Sequence, residues 1–281
     1  MSILNAPPTD YRPPEVLSLG AGVQSSTMAL MAARGELTPM PVAGIFADVK
    51  AEPKAVMDWL NWLETKLPFP IYRVTRKQGL TAAIEDGVRR NVITGSPPFY
   101  TIGKDGKAAM VTRACTRDFK IDVIAKQARA VMGLVKGERS AGRFVNMWVG
   151  ISLDEIQRLK DSRQKYIRNR WPLIEKRMSR WDCLRWMKTN GYPEPPKSSC
   201  TFCPYHDDAL WQKIKTTDAA AWQEAIRIDA LIRNDARKGG SPMFLHRSLK
   251  PIAEVDFEKE KGQGELAGIS MMDECDGMCG V

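Results

Sequence analysis

Histidine is scarce in this chain, with two residues in 281, at positions 206 and 246. A metal site built from histidines alone is excluded, because such sites use three or more imidazole ligands. No apolar run approaches the roughly 20 residues that a membrane-spanning helix requires. The first residues, MSILNAPPTDYRPP, lack a charged segment followed by an apolar stretch, so no secretory signal is expected. We therefore expect a cytoplasmic protein with no membrane partner.

The composition is that of a globular protein with an excess of positive charge. The hydrophobic fraction is 43%, the net charge is +9 and the isoelectric point is about 9.3. A basic balance favours polyanionic partners such as nucleotides or nucleic acid, although a solvated basic surface without a partner gives the same charge. The length suits one large domain, alone or with a smaller unit. Nothing in the sequence sets the oligomeric state.

Short apolar segments alternate with helical patterns along the first half of the chain. Strands are predicted at 15–19, 41–47, 70–75 and 144–149, with amphipathic helices between them. This alternation predicts a doubly wound α/β domain with a mostly parallel sheet. We assign an extended arm to 1–14, a nucleotide-binding domain to 15–160, and a metal-binding and substrate unit to 161–281. The last unit is rich in Arg, Lys, Trp and Pro.

The first predicted strand runs into a glycine-rich turn, GAGVQSS, and then into a helix. Such a turn can hold phosphates, because glycines let the backbone approach and the helix N-terminus favours anions. No Gly-Lys-Ser/Thr follows and the third glycine of GxGxxG is missing, so neither common phosphate motif is present. A tight turn capped by serine is the alternative interpretation.

The run SLGAGVQSS resembles the pyrophosphate loop of PP-loop ATP pyrophosphatases and sulfonucleotide (PAPS) reductases. Gln24 stands where the ATP pyrophosphatases usually carry aspartate, and is closer to the PAPS-reductase variant. The resemblance implies that ATP or another adenine nucleotide is bound by the following residues of this segment: Ser18, Gly20, Gly22, Gln24, Ser25 and Ser26.

Two later segments resemble the same family in the same order. FADVKAEP is similar to its Asp-Thr-Gly-x-Glu stretch, which implies a nucleotide-binding and catalytic role for Asp48, with Mg²⁺ as a further cofactor. MWVGISLDEIQR is similar to its Gly-x-Arg-x-x-Glu-Ser-x-x-Arg segment. Gly150, Glu155 and Arg158 match, and Ser152 stands where the family has its first arginine. Gly150 and Arg158 are implied nucleotide-binding residues. Helix capping and surface ion pairs are the structural alternatives.

Four cysteines are candidate metal ligands. Cys200 and Cys203 form a C-x-x-C followed by proline, and Cys115 and Cys183 lie upstream. Two thiolates at this spacing can bind one metal, whereas a redox dithiol usually needs a thioredoxin-like context that is missing here. Cys115 and Cys183 can also be read as small buried residues.

The segments CTRDFKI, DC and PPKSSCTFCP resemble a phage and bacterial group of PAPS-reductase-like proteins. That resemblance implies a 4Fe–4S cluster on Cys115, Cys183, Cys200 and Cys203. Zinc is the alternative metal, with His206 able to replace a thiolate.

The tail DECDGMCGV loosely resembles the Glu-Cys-Gly tail of PAPS reductases, which implies that Cys275 is a catalytic nucleophile, with Cys279 nearby. Basic residues interleave with Tyr166, Trp171 and Trp181 over 158–181, a pattern typical of nucleic-acid binding but also of a solvated helix face. Three hypotheses follow. ATP adenylates a nucleic-acid substrate for sulfur transfer, Cys275 reduces a sulfonucleotide, or the chain binds nucleotide or nucleic acid without catalysis.

Overall fold

The computed structural model describes residues 7–90, 97–233 and 241–260. Its β-strands are β1 (Glu15–Leu19), β2 (Ala43–Ala47), β3 (Ile71–Val74), β4 (Tyr100–Ile102), β5 (Ala108–Met110), β6 (Val145–Trp148), β7 (Ile167–Arg170) and β8 (Met243–Phe244). Its α-helices are α1 (Val23–Ala33), α2 (Lys54–Glu64), α3 (Leu80–Arg89), α4 (Asp122–Val131), α5 (Pro172–Glu175), α6 (Arg180–Thr189), α7 (Asp208–Thr217), α8 (Ala219–Arg233) and α9 (Phe257–Glu260). A π-helical turn at Arg117–Ile121 leads into α4, and a 3₁₀ helix covers Leu153–Arg158.

Five parallel strands form the central sheet in the order β3-β2-β1-β6-β7. The chain moves outward from β1 in both directions, which is the doubly wound arrangement, and the predicted fold class is confirmed. In such sheets, ligands bind at the carboxyl ends of the strands where the strand order reverses, which here is between β1 and β6. β7 extends the sheet beyond residue 160, while the division of the chain into units at that residue stays a prediction.

Side chains alternate between the two faces of the sheet and build separate hydrophobic clusters. Leu17 and Leu19 of β1 face one cluster, formed with α1, α2 and α6. Val16 faces the other cluster, which is formed mainly with α4. Because helices cover both faces, β1 and β2 are buried along their whole length and β6 nearly so, and their segments are mainly apolar in the sequence.

A third cluster forms the remainder of the molecule. It joins α3, α7 and α8 to Phe99, Phe119 and Phe202, and it includes Cys115 and Cys200 at its border. A small antiparallel sheet in the order β5-β4-β8 belongs to this part of the molecule. β4 and β5 form an antiparallel hairpin within this small sheet.

None of the helices in the described ranges combines the length and the apolar character needed to cross a bilayer.

Candidate functional site

A cavity of about 540 Å³ opens beside the carboxyl ends of β1 and β6. Ser18 of β1 lines it, together with Val149 and Ile151, which directly follow β6. The first turn of α4 and part of β7 form the opposite walls. This is the position at which a doubly wound sheet is expected to bind its ligand.

The wall of this large cavity is strongly basic. Five cationic side chains line it, whereas Asp122 contributes a carboxylate. The cations come from the segment before α4 and from the chain after β6: Arg113, Arg117, Arg158, Lys160 and Arg163. Such a concentration of positive charge in a cleft favours an anionic ligand with more than one charge, such as a nucleotide phosphate chain.

The glycine turn is held closed by its own serine. The Gly20 N–H donates to Ser25 Oγ at 3.1 Å, and Ser25 Oγ donates to the Gly22 carbonyl at 3.4 Å. Ala21 adopts a left-handed φ of 60° and is fully buried. Gly20 lines a separate gap of about 10 Å³, and Ser18 is the residue of this segment that lines the large cavity.

Gln24 connects the turn to the chain that follows β6. Its Nε2 donates to Ser152 Oγ at 3.4 Å and to Glu155 Oε2 at 3.2 Å, while its Oε1 accepts from Arg180 at 3.1 Å. Glu155 also forms an ion pair with Arg158. The turn and the basic wall are therefore joined through one network, in which Glu155 links Gln24 to Arg158. The predicted roles of Gln24 and Arg158 as nucleotide ligands stay predictions.

The remaining predicted nucleotide ligands have structural contacts. Asp48, which follows β2, is 7% exposed and accepts from the Lys50 amide at 2.8 Å and from Lys50 Nζ at 2.6 Å. Ser26 Oγ accepts from Trp59 Nε1 at 2.9 Å. Gly150 lies between two residues that line the large cavity. Their predicted ligand roles stay predictions.

Three of the predicted metal ligands share a second, smaller cavity of about 30 Å³. Cys115, Cys200 and Cys203 all line it, and Lys120 lies beside them. Arg113 and Thr116 line both this thiol cavity and the large cavity. The cysteines are thus separated from the basic wall by a single layer of residues.

Charges near the thiol cavity act on one another. Burial raises the pKa of Cys200 well above its usual value, Glu52 raises it further, and the buried Lys120 opposes both. Burial also raises the pKa of Glu52, against the lowering effect of Lys120. Lys120 and Glu52 also line the gap next to Gly20, so they lie between the turn and the thiols.

Cys183 is not with the other three cysteines, which corrects the predicted set of four ligands. It is fully buried on α6, in the cluster beneath α1. Burial raises its pKa to about 12, and a hydrogen bond with Thr27 lowers it in part. Cys183 and Met187 are one helical turn apart on the same face, so Cys183 belongs to the buried stripe of α6.

The described residues do not fit a four-cysteine metal centre. Within 7–90, 97–233 and 241–260, no group of three or more His, Cys, Asp or Glu side chains is placed to hold a metal ion. His206, the alternative zinc ligand, is 5% exposed, and its Nε2 is engaged with Ser199 Oγ at 2.9 Å. We therefore derive no chemical step through a metal.

Replacing Cys183 by alanine is expected to leave ligand binding and metal content unchanged. The substitution removes one buried sulfur and should lower the free energy of unfolding by about 1 kcal/mol. In the wild type at pH 8, mass spectrometry after iodoacetamide treatment should find Cys183 unlabelled until urea unfolds the protein, because the buried thiol stays protonated. Loss of bound iron or zinc in the alanine variant would return Cys183 to the ligand set.

Cys275 and Cys279, the candidate nucleophile and its neighbour, lie outside the described residues, so the predicted catalytic role of Cys275 stays a prediction.

Comparison with known proteins gives only distant likenesses of fold. No protein-family model and no curated protein matches the chain. Among solved structures, it is similar to the phosphoadenylyl-sulfate (PAPS) reductase from Candida auris in its phosphate complex, with a TM-score of 0.40 and 12% identity. That similarity covers 66% of this chain and 76% of the other. We draw no functional conclusion from a likeness this distant.

Sequence reasoning did not select several residues that the structure places at the site. Glu52 lies in the FADVKAEP stretch, and its match to the glutamate of the Asp-Thr-Gly-x-Glu pattern is the signal that could have identified it. Arg180 reaches Gln24 across 156 positions of the chain, and no local pattern announces such a contact. Lys160 and Arg163 stood out only as members of a basic stretch.

Proposed function

We propose that this chain is an adenine-nucleotide-dependent enzyme that carries out sulfur chemistry with cysteine thiols. One observation carries the proposal: the basic cavity at the carboxyl ends of β1 and β6 shares Arg113 and Thr116 with the cavity of Cys115, Cys200 and Cys203. A nucleotide bound in the first cavity would lie one residue layer from sulfur nucleophiles.

The size and charge of the large cavity support a nucleotide as its ligand. Its volume of about 540 Å³ falls within the range of roughly 300 to 1,000 Å³ that is usual for small-molecule sites. Its cations suit the phosphates, while apolar residues such as Ile124, Met147 and Ile167 offer surface to a base. The resemblance of SLGAGVQSS to the PP-loop family indicates adenine as that base.

The leading reaction is activation of a substrate oxygen followed by its replacement with sulfur. The oxygen attacks the α-phosphorus of ATP, the α–β phosphoanhydride bond breaks, and pyrophosphate leaves. Sulfide supplied as a co-reactant then attacks the activated carbon, and AMP departs with the oxygen. The thiols of the small cavity would hold the incoming hydrosulfide by hydrogen bonds and form no covalent bond to it, so the step needs no oxidant. Iron–sulfur or zinc binding stays a prediction from sequence and enters none of these steps.

The test uses the full chain purified without oxygen. We expect ATP to bind in calorimetry, and pyrophosphate to be released once a suitable acceptor is supplied. Replacing both Cys200 and Cys203 by serine should abolish incorporation of ³⁵S-sulfide into the acceptor while leaving ATP affinity unchanged. A protein that binds no adenine nucleotide would disprove the proposal.

Further measurements separate the other hypotheses. Sulfite release from a sulfonucleotide, lost in Cys275→Ser, would identify a reductase instead of an ATP-driven transferase. Binding of nucleotide without either reaction would indicate a non-catalytic binder. Visible absorption and elemental analysis of the same preparation test the predicted metal centre independently.

A further inference from the structure

Three apolar side chains lie exposed beside the large cavity. Leu153 is 37% exposed, Ile156 is 49% exposed and Trp181 is 78% exposed, the highest value for a large apolar side chain in the described ranges. We call these three residues the Trp181 surface. Gln157 and Arg158, which follow Ile156 in the chain, line the cavity. The surface therefore borders the proposed nucleotide site.

The backbone holds the two parts of the Trp181 surface side by side. The Leu153 N–H donates to the Met178 carbonyl at 2.9 Å, and the Arg180 N–H donates to Asp154 at 2.8 Å. Trp181 itself lies in the first turn of α6, which is fixed by a capping box between Ser179 and Asp182. Because the capped helix already fixes the backbone of Trp181, little conformational entropy is lost when a ligand binds to the indole.

The charge around the Trp181 surface is positive. The segment 151–190 contains eleven lysine or arginine residues and five aspartate or glutamate residues. Several of these cations are exposed close to Trp181 in the chain: Lys176, Arg177, Arg185 and Lys188. An apolar protein partner would not require this excess of charge, whereas a polyanion would.

Arg177 is the exposed cation that can be changed with the least effect on the fold. It is exposed and adopts a left-handed φ of 55° between α5 and α6. A non-glycine residue in this conformation costs about 1 kcal/mol, which glycine would avoid. This conformation ends α5, because the Arg177 N–H donates to the Ile174 carbonyl at 3.0 Å and the Met178 N–H donates to the Leu173 carbonyl at 2.8 Å. The arginine side chain itself stays exposed at the start of the segment that leads to Trp181.

The geometry points to single-stranded nucleic acid as the occupant of the Trp181 surface. Unpaired bases would stack on the indole, and the surrounding cations would contact the phosphates, as in other single-strand binding sites. The strand would then pass along the 153–158 segment and bring one nucleotide to the large cavity. This inference rests on the proposed function and names the class of its acceptor.

The experiment measures binding of a fluorescein-labelled, mixed-sequence RNA of about 20 nucleotides, a length that spans one or more typical single-strand sites. Trp181→Ala should weaken binding by about 10-fold, whereas Trp181→Phe, which keeps a stacking ring, should lose much less. Tyr72→Ala is the matched control, because Tyr72 is 42% exposed on β3 at the other edge of the sheet. It should bind like the wild type.

Arg177→Gly gives a second, independent variant. The variant should be as stable as the wild type, because glycine adopts the left-handed conformation without strain. The slope of log K for RNA binding against the logarithm of the salt concentration should become less steep by about 0.7, because one phosphate contact is lost. Lys136→Ala, at an exposed lysine after α4, should leave the salt dependence unchanged.

Four results would overturn the inference. The first is that Trp181→Ala and Tyr72→Ala bind the RNA equally well, and the second is that the protein prefers a duplex of the same sequence. The third is that the wild type binds ATP but no RNA. The fourth is that the wild type is a dimer and Trp181→Ala is a monomer. The last would identify the surface as a contact between two copies. ATP affinity, measured in parallel, should be the same in all variants, so failure of the proposed function would be seen separately.

Discussion

Replacing Arg158 by alanine is expected to weaken binding of ATP by roughly 10- to 100-fold, the usual cost of removing a charged hydrogen-bond partner. Arg158 lines the large cavity and forms an ion pair with Glu155. The alanine variant loses a cation that faces the phosphates. It also leaves Glu155, whose side chain is only 16% exposed, as a negative charge near the anionic ligand. Both effects oppose binding.

Calorimetric titration of ATP provides the measurement for this variant. Arg158→Lys keeps the positive charge and should retain more affinity than alanine, although it loses the planar contact with Glu155. The matched control is Arg143→Ala, because Arg143 is also paired with a glutamate, Glu138, but lies just before β6, at the amino ends of the strands and away from the cavity at their carboxyl ends. If Arg143→Ala weakened ATP binding as much, the large cavity would not be the nucleotide site.

The contact between Gln24 and Ser152 explains how the chain departs from the family pattern that it resembles. The family pattern has aspartate and arginine at these two positions, whereas here a neutral amide donates to a hydroxyl at 3.4 Å. Gln24 and Ser152, the two residues that differ from the pattern, contact each other and so connect the glycine turn to the chain after β6.

The centre of the sheet could be predicted because β1, β2 and β6 are buried between two layers of helices. The segments around β1, β2 and β6 are mainly apolar, which is the pattern that parallel strands covered by helices require. β7 has the sequence IRNR at the edge of the sheet, and its polar residues give no such signal. Its place in the sheet depends on pairing with β6, which is a tertiary contact.

The candidate site was predictable to the extent that its residues are close in sequence. The spacing of Cys200 and Cys203 fixes them on one turn, and the resemblance connected Cys115 to them. For Cys183, the same resemblance failed, because a cysteine on an amphipathic helix is equally suited to a buried stripe. Tertiary structure decides which face of α6 packs against α1, and the Asp-Cys pair alone does not indicate that face.

The free energy of unfolding is expected to fall by about 2 kcal/mol between pH 7.5 and pH 5 through the titration of His206. Burial lowers the pKa of this histidine to about 3, against about 6.5 in the unfolded chain. Between these values the unfolded state binds one more proton than the folded state. Stability therefore rises with pH through this window, and is lost as the pH falls from 6.5 toward 3.

Urea unfolding of the wild type and of His206→Gln at both pH values isolates this effect. Glutamine can keep the hydrogen bond to Ser199 but does not titrate, so the variant should lose less stability on acidification. Because the chain has two histidines, His246 is the one left in the variant, and it is paired with Asp208. An equal loss of stability in both proteins would show that His206 is not held neutral by burial. The imidazole would then be accessible to protons in the folded protein, and its packing against Trp211 would be different in solution.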